Sequence, residues 1–268
     1  SQCCLQPDLN TFSAWCTRNL MMLNLDKCIN LTFSKNPCGP FYLDQSEVAV
    51  KAHVKDLGVT ISQDLKWNEH LKLRTAKAMK VLFFLKRTSV KALTTRSKIN
   101  IYKSMVLPVI MYGTDVIYIS KTNMKSIESI QKRALRWALN YPEDHYTNML
   151  KSTNLLPLTM YIEMNRLLLL SKIINNHYRI NWNSYMRYSS RNTLFELPHI
   201  SREISRHNFW YHAPRLANLI YPAIDVRTTE GLKPKLLKLY WEHFASFNAQ
   251  VSCSWTILCL CPSCRLVT

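Results

Sequence analysis

Leu5-Gln6-Pro7-Asp8-Leu9, Trp15-Cys16, Leu23-Asn24-Leu25, Lys27-Cys28, Lys55-Asp56-Leu57-Gly58-Val59 and Trp67-Asn68-Glu69-His70 punctuate the first quarter of the chain. The hydropathy period changes across this run. Leu9, Phe12, Cys16 and Leu23 recur near helical spacing, and Pro7 falls in a first turn that needs no amide donor. Cys28 to Phe33 alternates until Ser34 to Pro40 closes it, and Val54, Val59, Thr60 and Ile61 gather around Gly58. These two stretches predict two or three short strands in a small antiparallel ribbon.

Beyond the ribbon the apolar spacing is helical. Over residues 68–87, Leu71, Ala78, Met79, Leu82 and Leu85 mark one face, while Lys77 and Lys80 stand one turn apart on another. Further helices are expected over 94–106, 123–139 and 157–176, the last apolar nearly all round at Leu167-Leu168-Leu169-Leu170 and therefore buried. Residues 177–231 are less periodic, hold Pro198, Pro214 and Pro222, and read as a linker or irregular docking segment. A final helix follows, with Leu237, Tyr240, Phe244 and Phe247 at spacings of three and four. Four glycines in 268 residues are too few for a fold of many tight turns, so the class is mainly α with a small antiparallel β ribbon near the N-terminus.

Composition limits the partners. With 47% hydrophobic residues the chain can bury one large core or two modest ones, and its net charge of +18 points first to nucleic acid and second to an acidic membrane surface. The excess is local. Residues 66–136 hold sixteen Lys and Arg against Glu69, Asp115 and Glu128, a net of +13. Lys125, Lys132 and Arg136, spaced seven and four apart, share one helical face with Arg133 beside them, and such a stripe suits phosphates without reading bases. A solvated face is the alternative. The nearest approach to a membrane span, residues 105–119, is too short and is interrupted by Pro108, Gly113 and Asp115. Nine cysteines with no secretory signal fit a reducing, intracellular setting, nuclear or cytoplasmic.

Two-metal nucleotidyl transfer needs paired carboxylates, and the chain has no Asp-Asp; Asp8, Asp26, Asp44, Asp56, Asp64, Asp115, Asp144 and Asp225 stand apart. Phosphate loops, nucleophile elbows and zinc-protease helices are also missing. At the C-terminus, Cys253, Cys259, Cys261 and Cys264 could close a tetrahedral zinc site, with free thiols as the alternative reading. His207 and His212, five apart in a basic aromatic segment, read as surface or stacking residues rather than metal ligands.

The opening run resembles the reverse transcriptases of non-LTR retrotransposons, the jockey-like and CR1-like clades in particular. In that family a Leu-Gln-x-Asp-Leu helix ending in Trp-Cys and a Leu-Asn-x-x-Lys-Cys strand follow the catalytic turn, as Leu5 to Cys28 do here. The resemblance implies that Leu57, Gly58 and Val59 occupy the place of a primer-grip ribbon, and that Trp67-x-x-His70 opens a helical thumb. It further implies that Lys77, Lys80, Lys125, Lys132, Arg133 and Arg136 hold an RNA template and a DNA primer. Leu107-Pro108-Val109-Ile110-Met111-Tyr112-Gly113 is similar to a thumb segment, and Phe209 with Ala213-Pro214-Arg215-Leu216-Ala217-Asn218 and Pro222 to a post-thumb signature.

On this reading residues 1–63 are the palm end, 64–140 the basic thumb, 141–250 a post-thumb region and 251–268 a Cys-rich tail. The chain is then a C-terminal fragment that starts beyond the catalytic carboxylates. It is inactive alone, partnered by an N-terminal polymerase part that would hold Mg2+. Zn2+ at the tail is the further cofactor expectation. Two other readings stay open: a zinc-stabilised helical interaction module, and a decayed element copy without function.

Overall fold

A computed structural model describes residues 5–33, 39–88, 93–140, 145–190, 193–197, 199 and 208–246. Two compact units divide the chain between Lys72 and Leu73. The Cys253, Cys259, Cys261 and Cys264 tail, Phe247, Asp144 and His207 lie outside the described residues.

The first unit holds helix α1 (Leu5–Arg18), six two- to four-residue strands, and the opening of helix α2 (Asn68–Thr88). Strands β2 (Tyr42–Leu43) and β3 (Ser46–Glu47) form one antiparallel hairpin, β5 (His53–Asp56) and β6 (Val59–Ser62) another. The β5–β6 hairpin is the ribbon expected around Gly58. The strand expected over 28–33 shrinks to β1 (Ile29–Asn30), which pairs in parallel with β4 (Ala49–Val50) rather than joining an antiparallel ribbon.

The leading motif acquires a physical role here. Gln6 Nε2 donates to the Tyr42 carbonyl at 2.8 Å, and Gln6 Oε1 accepts from the Tyr42 amide at 2.8 Å. One carboxamide thereby completes both backbone groups of an edge residue and fixes α1 on β2. Cys16 is the one buried residue of α1, while Phe12 and Trp15, stacked at 6.3 Å, remain about half exposed. His70 is buried, and its Nδ1 accepts from the Thr60 amide at 3.2 Å, which ties the start of α2 to β6.

In the second unit α2 buries Ala78, Leu82 and Leu85. Helix α3 (Thr95–Ile101) widens into a π-helical turn over Tyr102–Val106 before α4 (Leu107–Met111). Pro108 explains the widening, because its ring has no amide hydrogen and clashes with the carbonyl four residues earlier. The straight helix expected over 94–106 therefore ends in a bulge. Helices α5 (Lys121–Leu139), α6 (Tyr146–Thr153) and α7 (Leu158–Ile174) follow. As its leucine run predicts, α7 is the buried strut, packed by α5, α8 (Phe209–Ile220) and α9 (Leu232–Ser246).

Segment 177–231 is less irregular than its prolines imply. It contains the hairpin of β7 (Arg187–Tyr188) and β8 (Phe195–Glu196), and all of α8. Pro214 sits inside α8 and is itself buried, so tertiary packing outweighs the missing backbone bond. Asn218 repeats the Gln6 device: its side-chain amide pairs both the amide and the carbonyl of Phe195, each at 2.8 Å. In α9 the buried series is Leu232, Leu236, Tyr240 and Phe244, and Leu237 faces outward.

Two charged residues brace this core. Arg166 of α7 donates to the carbonyls of Thr114 (3.4 Å), Asp115 (3.3 Å) and Ile117 (2.5 Å), pinning the loop after α4. Glu128 of α5 accepts from the Thr159 amide at 3.2 Å and from the Tyr146 hydroxyl, joining α5, α6 and α7.

Candidate nucleic-acid interface

Helix α5 is strongly two-faced. Ile127, Ile130, Gln131, Ala134, Leu135 and Ala138 are buried, while Lys125, Arg133 and Arg136 are exposed and Lys132 is half-buried. The spacing of seven and four thus becomes a cationic stripe opposite the core. On α2, Lys77 and Lys80 are exposed and interleave with the exposed Leu73 and Phe84, a mixture of cation and flat apolar surface. The two helices meet where Arg133 Nη1 approaches Met79 Sδ at 4.0 Å. Arg74 also lies over the Tyr112 ring at 4.2 Å, linking α2 to the Leu107–Gly113 motif.

Little local negative charge offsets these groups. Among the described residues the ion pairs are Lys66 with Asp64, Arg227 with Asp225 and Lys238 with Glu242, none of which involves Lys77, Lys80, Lys125, Lys132, Arg133 or Arg136. Lys86 holds its proton less tightly than an ordinary lysine, first because it is partly buried and then because Arg133 repels it. At the far end of α5, Lys98 is buried and donates to the Trp137 carbonyl at 3.3 Å and to Asn140 Oδ1 at 3.0 Å. It neutralises the negative end of that helix. Sequence spacing did not single out Lys86, Lys98, Trp137 or Asn140. Their proximity is tertiary, and the one local signal was an asparagine just after a helix, a common left-handed cap.

The hairpin in the first unit is a separate feature. Its two-residue turn, Leu57-Gly58, has φ of 44° and 84°, the both-positive pattern of a type I′ turn. Gly58 adopts it freely, whereas Leu57 is a residue type that pays for it. Leu57 is also 87% exposed, so an apolar side chain is held in a costly conformation at the tip of the hairpin. Val59 begins β6 and is half-buried, a packing position more than a contact.

Among the described residues the carboxylates do not assemble a two-metal centre. Among the described residues no group of three or more His, Cys, Asp and Glu could hold a metal ion, and Cys16 and Cys28 are free thiols. The described residues do not fit the Mg2+ pair of a polymerase, and the zinc reading of the tail falls on Cys253, Cys259, Cys261 and Cys264, outside the described residues. His212 stacks on Tyr118, with ring centres 5.9 Å apart, as a stacking residue should. No helix among the described residues is long and apolar enough to cross a membrane.

Known proteins supply the remaining observation. The chain is 30% identical over 157 residues to a probable RNA-directed DNA polymerase from transposon BS of Drosophila melanogaster. It is 29% identical over 140 residues to the RNA-directed DNA polymerase from mobile element jockey of the same species, and 27% identical over 140 residues to that of Drosophila funebris. The matches take in about half of this chain, and they cover 17%, 15% and 15% of those polymerases. No protein-family model matches the chain, and no solved structure does. These similarities support a protein that is like the reverse transcriptases of non-LTR retrotransposons.

Proposed function

We propose that this reverse-transcriptase-like chain holds template–primer nucleic acid and performs no nucleotidyl transfer with its own residues. The observation that carries the reading is the set of cations on the solvent faces of α2 and α5, neighbours in one unit, that make no ion pair among the described residues. Phosphates are the ligand such faces suit, because Lys and Arg on a helix exterior neutralise a backbone without sampling base edges. A polymerase must accept any sequence, so a sequence-blind grip is the useful kind.

In this reading residues 64–140 act as a thumb on an RNA template and DNA primer, and residues 141–250 brace it. Residues 1–63 form the end of a palm, where Leu57, Gly58 and Val59 form a primer-side turn. The strained, exposed Leu57 supports that last role, since local rules tend to be broken where a ligand is met. The paired carboxylates and their Mg2+ belong to the polymerase part that this stretch serves.

Fluorescence anisotropy with labelled RNA–DNA hybrids tests the proposal. Hybrids of unrelated sequence should bind within about threefold of one another, and K77Q/K80Q/K125Q/K132Q should weaken all of them by at least about tenfold. A variant that binds as tightly as the parent, or a strong preference for one sequence, overturns it.

A further inference from the structure

At the C-terminal ends of α2 and α5, Lys86, Arg136, Trp137 and Asn140 line an open cleft of about 470 Å³. Among these described residues its chemistry is one-sided. Asn140 closes α5 in the left-handed conformation, with φ 59° and ψ 19°. The atom it offers to Lys98 must be oxygen, because an ammonium only donates, so that bond does not use the Asn140 NH2 group. Lys86 and Arg136 make no ion pair among the described residues.

The lining therefore offers an ammonium, a guanidinium and an amide NH2, with no carboxylate among these four residues. It also offers an indole. Lys98 lies 5.7 Å from the Trp137 ring centre and, through its bonds to the Trp137 carbonyl and Asn140, holds the ring and the cap together from the protein side.

A ligand that satisfies this set must bring acceptor oxygens and negative charge together with a flat ring. Inorganic phosphate would leave the indole unused, and a nucleoside, which is neutral, would leave the two cations uncompensated. We propose that the cleft binds a nucleotide, its phosphate oxygens accepting from Lys86, Arg136 and Asn140 and its base lying against Trp137. The volume falls within the span of about 300–1,000 Å³ common for small-ligand sites. Arg136 belongs both to this cleft and to the cationic face of α5, whereas Lys86, Trp137 and Asn140 belong to the cleft alone.

Isothermal titration of the whole chain with AMP, adenosine and inorganic phosphate provides the test. AMP should bind at least about tenfold more tightly than either part, the scale of one or two charge-assisted hydrogen bonds. Asn140→Asp keeps the oxygen that Lys98 needs and tolerates the left-handed cap, so it should unfold at the parent temperature or higher, yet lose AMP affinity about tenfold or more. Lys86→Gln should show the same loss without touching the cap. Single strands with and without a 5′-phosphate identify the source. A phosphorylated strand binding well above AMP assigns the site to a strand end, and equal affinity assigns it to free nucleotide.

AMP binding no better than adenosine, or unchanged AMP affinity in both variants, overturns the proposal. K77Q/K125Q, which lies outside the cleft, should lower hybrid binding and spare AMP. A failure of the duplex grip is thereby read separately from a failure of the nucleotide site.

Discussion

Replacing Glu128 separates what its shape does from what its charge does. Its Oε1 accepts from the Thr159 amide at 3.2 Å and the Thr159 hydroxyl at 3.4 Å, and its Oε2 accepts from the Tyr146 hydroxyl. Helix α7 begins after Pro157, whose side chain offers no cap, so Glu128 supplies from α5 the acceptor that this helix start lacks. Glu128→Leu leaves the Thr159 amide unsatisfied, whereas the Tyr146 hydroxyl can fall back on Gln131 Oε1 at 3.1 Å. One orphaned donor and one lost bond to an ionised group put the cost at about 2–4 kcal/mol. Glu128→Gln retains an acceptor oxygen and should cost about 1 kcal/mol or less.

The pH dependence has a definite sign. Burial raises the Glu128 carboxyl above its usual range, and the hydrogen bonds from Tyr146 and the start of α7 recover only part of that shift. A raised carboxyl contributes stability that is present below its unfolded pKa and is lost as pH rises through the folded value. The Gln variant does not titrate there, so it should gain on the parent as pH rises above the ordinary glutamate pKa of about 4.3. Urea unfolding of parent, Gln and Leu forms at several pH values reads both effects through the midpoint at constant slope. A Leu variant within about 1 kcal/mol of the parent, or a Gln variant that loses ground as pH rises, would refute the reasoning.

Other perturbations follow from the same geometry. Arg166→Lys should destabilise by about 3 kcal/mol in urea, because one ammonium cannot span the three carbonyls that the guanidinium reaches; a loss under about 1 kcal/mol would assign the loop's order to something else. Tyr102 is fully buried and its hydroxyl has no hydrogen-bond partner among the described residues, so Tyr102→Phe should raise the urea midpoint, by about 1 kcal/mol of stability; a lower midpoint would mean that the hydroxyl is satisfied after all. Leu57→Asn should relieve about 1 kcal/mol of left-handed strain while weakening hybrid binding in anisotropy, and unchanged binding would remove the hairpin tip from the interface.

Much of the fold was legible because its signals are local. The leucine run of α7, the opposed faces of α5 and the β-branched residues around Gly58 each carry a periodicity that one segment displays by itself. Helix α8 was hidden by Pro214 and by Phe209, Trp210 and Tyr211, residues of modest helix propensity that burial rewards. The parallel pairing of Ile29 with Ala49 was invisible because it joins two-residue strands twenty positions apart, where no pattern has room to form. The site divides in the same way. The Lys125, Lys132 and Arg136 stripe is a property of one helix, whereas the cleft of Lys86, Arg136, Trp137 and Asn140 exists only once α2 and α5 have met. Gln6 and Asn218 could be noticed as motif letters, but their pairing with Tyr42 and Phe195 joins positions 36 and 23 residues apart and is tertiary.

The dependence of hybrid affinity on salt tests the central claim most directly. If Lys77, Lys80, Lys125, Lys132, Arg133 and Arg136 each neutralise a phosphate, the logarithm of affinity should fall against the logarithm of salt with a slope near about −5. Removing Lys125, Lys132 and Arg136 together as glutamines should flatten that slope by about 2–3. A salt-indifferent affinity in the parent, or a triple variant with the parental slope, would contradict the assignment of these helices to nucleic acid.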